Sequence, residues 1–186
     1  SKNISHLVTD LRDLCFEFGI TTDQVNTLYK QYGIPDRFDN ADTVFVKQML
    51  QHALPNEVRS QIISNLFEKF VGISEEKLSN KLYMSIDEVQ KLVSSGMYVG
   101  SHGSMHYWLD QINYEEQKKD IMSSLEFLEE IGTSTKNWIM CYPYGAYNND
   151  TLSILKELRA SIGVTIEARK ANLKIDNSLN LPRFDT

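Results

Sequence analysis

Two cysteines in 186 residues are too few for a disulfide framework, and the four prolines and nine glycines form no linker or low-complexity tract. No run of about 18 apolar residues is long enough to cross a bilayer. No charged-then-apolar leader opens the chain, but its first residue, Ser1, is not Met, so removal of an export signal or of a whole upstream segment is compatible with what remains. Positive charge is also in short supply. With 19 Lys and Arg against 25 Asp and Glu, the net charge is −6, which excludes a nucleic-acid surface built on clustered cations. The one basic pair, Lys118-Lys119, falls in a glutamate-rich helical stretch. Compartment is left open between cytoplasm and cell envelope. What remains is 41% hydrophobic and 24% charged, enough for one core-bearing domain or a helical part joined to an α/β part.

The hydrophobic period divides the chain. Ile4, Leu7, Val8, Leu11, Leu14, Cys15 and Phe18 recur at steps of three and four, which predicts a helix with one apolar face. Thr22-Asp23 is expected to cap a second helix carrying Val25, Leu28, Tyr29 and Tyr32. A third is expected from Asp42 to Ala53, and a fourth, after Pro55-Asn56, with Val58, Ile62, Ile63, Leu66, Phe67 and Phe70 on it. Ser74 opens a shorter helix, and Ser85-Ile-Asp-Glu88 matches a capping box, in which serine and glutamate satisfy each other's orphan backbone donors. Residues 1–96 thus read as an all-helical segment. From residue 97 the pattern becomes βαβαβ, with strands expected at Met97–His102, Trp138–Tyr142 and Ile162–Ile166 and helices at 113–131 and 150–158. Such alternation predicts parallel strands with helical crossovers. Cys15 and Cys141 are expected as two buried thiols.

Two motifs stand at expected strand ends, where parallel α/β folds collect their ligands. One is Gly100-Ser-His-Gly-Ser-Met-His106, followed by Tyr107-Trp108, and the other is Cys141-Tyr-Pro-Tyr-Gly145. Imidazoles at i and i+4 can converge on one cation if the segment makes a helical turn, and imidazole suits zinc and its neighbours. Catalytic zinc usually takes three protein ligands, so a third donor is called for. Gly103 stands where a zincin would have its glutamate base. On residues alone, a histidine pair bonded to backbone and surface, and a plain proline-glycine turn, are the other readings.

Together, GMYVGSHGSMHYWL, CYPYGAYN and LPRFDT resemble the polysaccharide deacetylase family (carbohydrate esterase family four, NodB-like), whose motifs include H-[ST]-x-x-H and R-x-P-Y. The similarity is to a branch with a long helical insertion, and it covers residues 97–186 best. The resemblance implies a partial β/α deacetylase barrel, with three or more parallel strands, preceded by the helical segment. It implies a divalent metal, zinc by expectation, held by His102 and His106. It implies catalytic roles for Tyr144, through its backbone N–H at the oxyanion, and for Arg183, as the guanidinium that stands in for the arginine replaced by Cys141. Tyr142, Pro143, Gly145 and Trp108 are expected to bind or shape the site for substrate, an acetylated sugar or polysaccharide hydrolysed by metal-activated water.

The sequence also departs from that family. No T-F-D-D motif is present to supply the base and the third ligand, and Phe38-Asp39-Asn40 reads as a turn leading into a helix. No histidine follows His106 to act as a general acid. Gly103 replaces the loop-bracing Ser or Thr, a role Ser104 is placed to take. The expectation is therefore a C-terminal part of a longer deacetylase, inactive alone. Two other readings stand beside it: a non-catalytic helical interaction module with a degenerate deacetylase fold, and a different metal hydrolase using Asp110, Asp185 or a glutamate as third ligand. Exposed sheet edges make a homo-oligomer a further expectation.

Overall fold

The computed structural model describes residues 2–184, so Asp185, one of the carboxylates considered as a third ligand, lies outside the described residues. The chain divides into two compact units, residues 1–83 and 84–186.

The first unit is helical: α1 (Lys2–Glu17), α2 (Thr22–Tyr32), α3 (Ala41–Gln48), α4 (Asn56–Val71) and α5 (Glu75–Leu82). Its core gathers Leu11 and Cys15 of α1, Val25 of α2, Phe45 and Val46 of α3, and Ile62 and Leu66 of α4. Leu11, Cys15, Val25, Ile62 and Leu66 are positions that the three-and-four period selects. Thr21, not Thr22-Asp23, caps α2, in a capping box closed by Gln24. The expected helix from Asp42 to Ala53 is two pieces, because α3 passes into a single π-type turn, Met49–Ala53, before Leu54 turns extended. Phe38-Asp39-Asn40 is a loop, as expected: Asp39 pairs with Lys47, and the Asn40 side chain caps α3.

The second unit holds α6 (Ile86–Ser94), α7 (Tyr114–Glu130), β1 (Ile139–Cys141), α8 (Asn149–Glu157) and β2 (Ile162–Val164). Ser85 and Glu88 form the expected capping box of α6. β1 and β2 pair in parallel, with Met140 opposite Gly163. The strand expected at Met97–His102 is reduced to a single parallel bridge between Ser101 and Met140, because the chain leaves the sheet at once to form the histidine loop. A fourth parallel segment, which the sequence did not announce, bridges Val164 to Leu181. The outcome is a small parallel α/β sheet. The core of this unit gathers Leu109, Ile121, Trp138, Met140, Tyr142, Ile154, Leu155 and Leu179, all buried. Both cysteines are free thiols; Cys15 is buried as expected, whereas Cys141 is half-buried.

α8 begins at a cap that can be tested. Asn148 accepts from the Thr151 backbone N–H at 3.1 Å and also receives Gln117 Nε2 at 3.4 Å. Asn148→Ala is expected to cost about 1 kcal/mol, as N-cap losses do, and to lower the urea midpoint by about 0.3–1 M. Trp108 and Trp138 are the two tryptophans and both lie in the second unit, so tryptophan fluorescence reads that unit directly. An unchanged midpoint would show that the cap is dispensable.

Candidate metal centre

Residues 102–108 form an irregular loop rather than the helical turn that an i, i+4 pair suggests. The imidazoles converge by another route: Gly103 at φ +72° and His106 at φ +55° both take left-handed backbone, which curls the loop back on itself. His106 Nε2 then lies 3.1 Å from His102 Nε2. His102 Nδ1 is 2.7 Å from the Cys141 carbonyl, which can only accept, so Nδ1 carries the proton and Nε2 keeps its lone pair. Burial, and after it the neighbouring His102, hold His106 below the ordinary histidine pKa, against an opposing pull from Asp120. His106 is thereby favoured in its neutral form, the form that a metal takes.

The second motif comes up beside the first. Pro143 and Tyr144 make a tight turn closed by Gly145 N–H to the Tyr142 carbonyl at 2.9 Å, and Tyr144 adopts φ +56°. Left-handed backbone at a non-glycine residue is costly, and it tends to persist where surrounding structure over-determines it, often at functional sites. The Tyr144 ring meets His106 edge-on at 4.7 Å and stacks on Trp108 at 4.7 Å with an interplanar angle of 15°. His102, His106, Tyr144 and Trp108 thus form one continuous row of rings.

The other expected site residues sit differently. Tyr142 is only 1% exposed, stacks on Tyr147, and donates its hydroxyl to the Leu179 carbonyl. Its ring lies in the core, because alternation along the extended chain turns it inward, and its backbone carbonyl closes the turn. Pro143 is buried, and Ile166 packs against Gly145. Arg183 is half-buried; its Nε donates to the Thr165 carbonyl at 3.0 Å and its backbone N–H to the Glu167 carbonyl at 3.0 Å. That places it one residue beyond the end of β2. Asp110 is exposed.

Two residues that braced the loop went unnoticed in the sequence. Asp120, on the buried face of α7, accepts from the Met105 N–H at 2.7 Å and the Ser104 N–H at 3.2 Å. Ser101 Oγ receives the Gly103 N–H at 3.3 Å and bonds Ser124 Oγ at 2.7 Å, so it is Ser101, not Ser104, whose hydroxyl is seen bracing the loop. The available signal was weak: polar Asp120 and Ser124 interrupt the apolar stripe of Ile121, Leu125 and Leu128.

The donor set suits a divalent cation in part. Two nitrogens about 2.0–2.1 Å from a tetrahedral zinc lie about 3.3 Å apart, close to the spacing here, and a second-nitrogen bond to a carbonyl is the usual support of a metal-binding histidine. Among the described residues, no group of three or more His, Cys, Asp or Glu side chains is gathered that could hold a metal.

Among solved structures, the chain is similar to IcaB from Ammonifex degensii at 27% identity, covering 45% of this chain and 40% of that one with a TM-score of 0.39. It is similar to the BpsB deacetylase domain from Bordetella bronchiseptica at 18% identity, covering 55% and 48% with a TM-score of 0.45. It is similar in fold to the Streptococcus pyogenes deacetylase PplD, solved in complex with acetate, at 18% identity, covering 96% and 79% with a TM-score of 0.50. The chain thus spans less than half the length of the first two. No curated protein matches it. The sequence model of the polysaccharide deacetylase family matches residues 14–162, from α1 to the first residue of β2, and the chain belongs to that family.

Proposed function

We propose that the chain carries part of the catalytic site of a metal-dependent carbohydrate deacetylase, built on part of a β/α barrel, that hydrolyses an acetyl group on a sugar polymer. The observation that carries this reading is the pair of Nε2 atoms 3.1 Å apart, with His102 Nδ1 committed to the Cys141 carbonyl. His102 and His106 would hold the cation, zinc being the best match to two imidazoles. A divalent cation bound there would supply Lewis-acid polarisation of the acetyl carbonyl and a water acidic enough to ionise near neutral pH.

The chain's own residues do the rest. The Tyr144 backbone N–H is assigned to the carbonyl oxygen as negative charge develops on it, the preorganised donor that acyl transfer needs. Trp108, stacked on Tyr144, offers an apolar wall against which a sugar ring can lie. Pro143 and Gly145 shape the turn, the Tyr142 carbonyl closes it, and Arg183 is assigned to orient a base aspartate. The pair supplies two of the three protein donors usual for catalytic zinc. Turnover by this chain alone is therefore expected to lie several powers of ten below that of a complete site, since ligand and base act as a unit.

A calorimetric zinc titration tests the reading. One-to-one binding in the micromolar range is expected for the chain, and none for the variant carrying His102→Ala and His106→Ala. Equal heats from the two proteins would remove the metal assignment. Robust release of acetate from an N-acetylated sugar oligomer by the purified chain would overturn the need for further catalytic groups.

A further inference from the structure

We propose that Asp120 is the positioning residue of the histidine loop, its buried carboxylate holding the backbone between His102 and His106 so that both imidazoles face one point. The inference rests on the reading of that pair as metal donors. Asp120 is 4% exposed, and a carboxylate in such surroundings is costly unless its oxygens are hydrogen-bonded. Here both oxygens are used on the loop, Oδ1 by Met105 N–H and Oδ2 by Ser104 N–H, in charge-assisted bonds of the stronger kind. Two successive backbone donors meet one carboxylate only because the preceding residue, Gly103, is left-handed.

Gly103 shows how closely the two parts fit. A Cβ there would lie 2.6 Å from Asp120 Oδ2 and 3.7 Å from Pro143 Cγ, so a side chain at this position would displace the carboxylate from the loop. The same helix face repeats the device one turn away on either side. Ser124 bonds Ser101 at the start of the loop, and Gln117 receives the Thr151 hydroxyl at 2.6 Å and donates to the Ile112 carbonyl at 3.0 Å. A helix packed on a core normally buries apolar residues on that face. α7 instead spends three positions on polar groups, and each of them ties down a loop or helix end. The two histidines are thereby anchored separately: His102 through its own Nδ1 and Cys141, His106 through the Met105 N–H beside it and Asp120.

Cobalt(II) titration, followed by its visible absorption, and residue-resolved amide hydrogen exchange test this. Asp120→Asn keeps the shape but turns an amide NH2 toward one of the two N–H donors. It is expected to bind cobalt 10- to 100-fold more weakly, as supporting-residue changes around metals do, at a temperature well below its thermal midpoint. Exchange should accelerate at Ser104 and Met105 while the amides of α7 and β1 keep their protection. Gly103→Ala, which leaves the carboxylate intact and pushes it aside, should weaken cobalt in the same way and serves if Asp120→Asn does not fold. Wild-type cobalt affinity in either folded variant overturns the proposal, as does a wild-type chain in which Ser104 and Met105 are unprotected. If the wild-type chain itself binds no cobalt, the metal reading falls, and exchange alone decides: unchanged protection in Asp120→Asn overturns the positioning role, and selective loss upholds it.

Discussion

Trp138→Ala is expected to lower the thermal midpoint of the second unit by on the order of 15 °C or more, corresponding to about 3–5 kcal/mol. Trp138 is fully buried, one residue before β1, and packs in the cluster of Leu109, Ile121, Ile154 and Leu155. Its indole N–H donates to the Leu158 carbonyl at 2.9 Å, so truncation opens a cavity and also leaves a carbonyl at the end of α8 without its donor. Small domains hold about 5–15 kcal/mol in all, so this one change removes a large fraction of the margin. It should also abolish the proposed zinc binding, because β1 carries the Cys141 carbonyl that fixes the His102 tautomer. Differential scanning calorimetry with near-ultraviolet circular dichroism is the measurement. A midpoint within 3 °C of wild type would show that the cluster repacks around the vacancy.

Gly163→Ala should be nearly as damaging although it adds a single methyl group. Gly163 is buried in β2, and a Cβ there would overlap the Leu179 carbonyl and the Tyr142 hydroxyl, which are hydrogen-bonded to each other. One obstacle is backbone and the other is a phenol locked in the core, so neither can yield by a change of rotamer. The cost is expected at the top of the overpacking range, about 3 kcal/mol. Because the Tyr142 carbonyl closes the turn that bears Tyr144, the variant should also weaken the proposed zinc binding, measured at a temperature where it remains folded. Tyr142→Phe in the same background should recover part of the lost stability by removing one of the two overlaps. A single variant as stable as wild type in urea would show that β2 and the segment at Leu179 separate freely.

The parts of this molecule legible in advance are those set by neighbours three or four residues away. Ser85 and Glu88 form the capping box that their spacing predicts, and Leu11, Cys15, Ile62 and Leu66 lie where the helical period places them. The sheet was less legible. The expected strand at 97–102 survives as one bridge at Ser101, and Leu181 joins β2 unannounced, because parallel pairing depends on partners far along the chain. At the site, His102, His106, Tyr144 and Trp108 were legible as residue types in a recognisable order, whereas the burial of Tyr142 was not. Which side of an extended chain faces the core is decided by what packs against it.

The sequence by itself determined the motifs by which this chain resembles its family, its helical first part, and the two imidazoles with the chemistry to take a borderline divalent cation. Only the tertiary structure decided how those imidazoles meet. Their convergence depends on left-handed backbone at Gly103 and His106, a carbonyl at the end of β1, and a carboxylate from α7. These are contacts across long stretches of chain, and no local pattern encodes them, because the stabilisation that holds a strained loop comes from the elements packed around it.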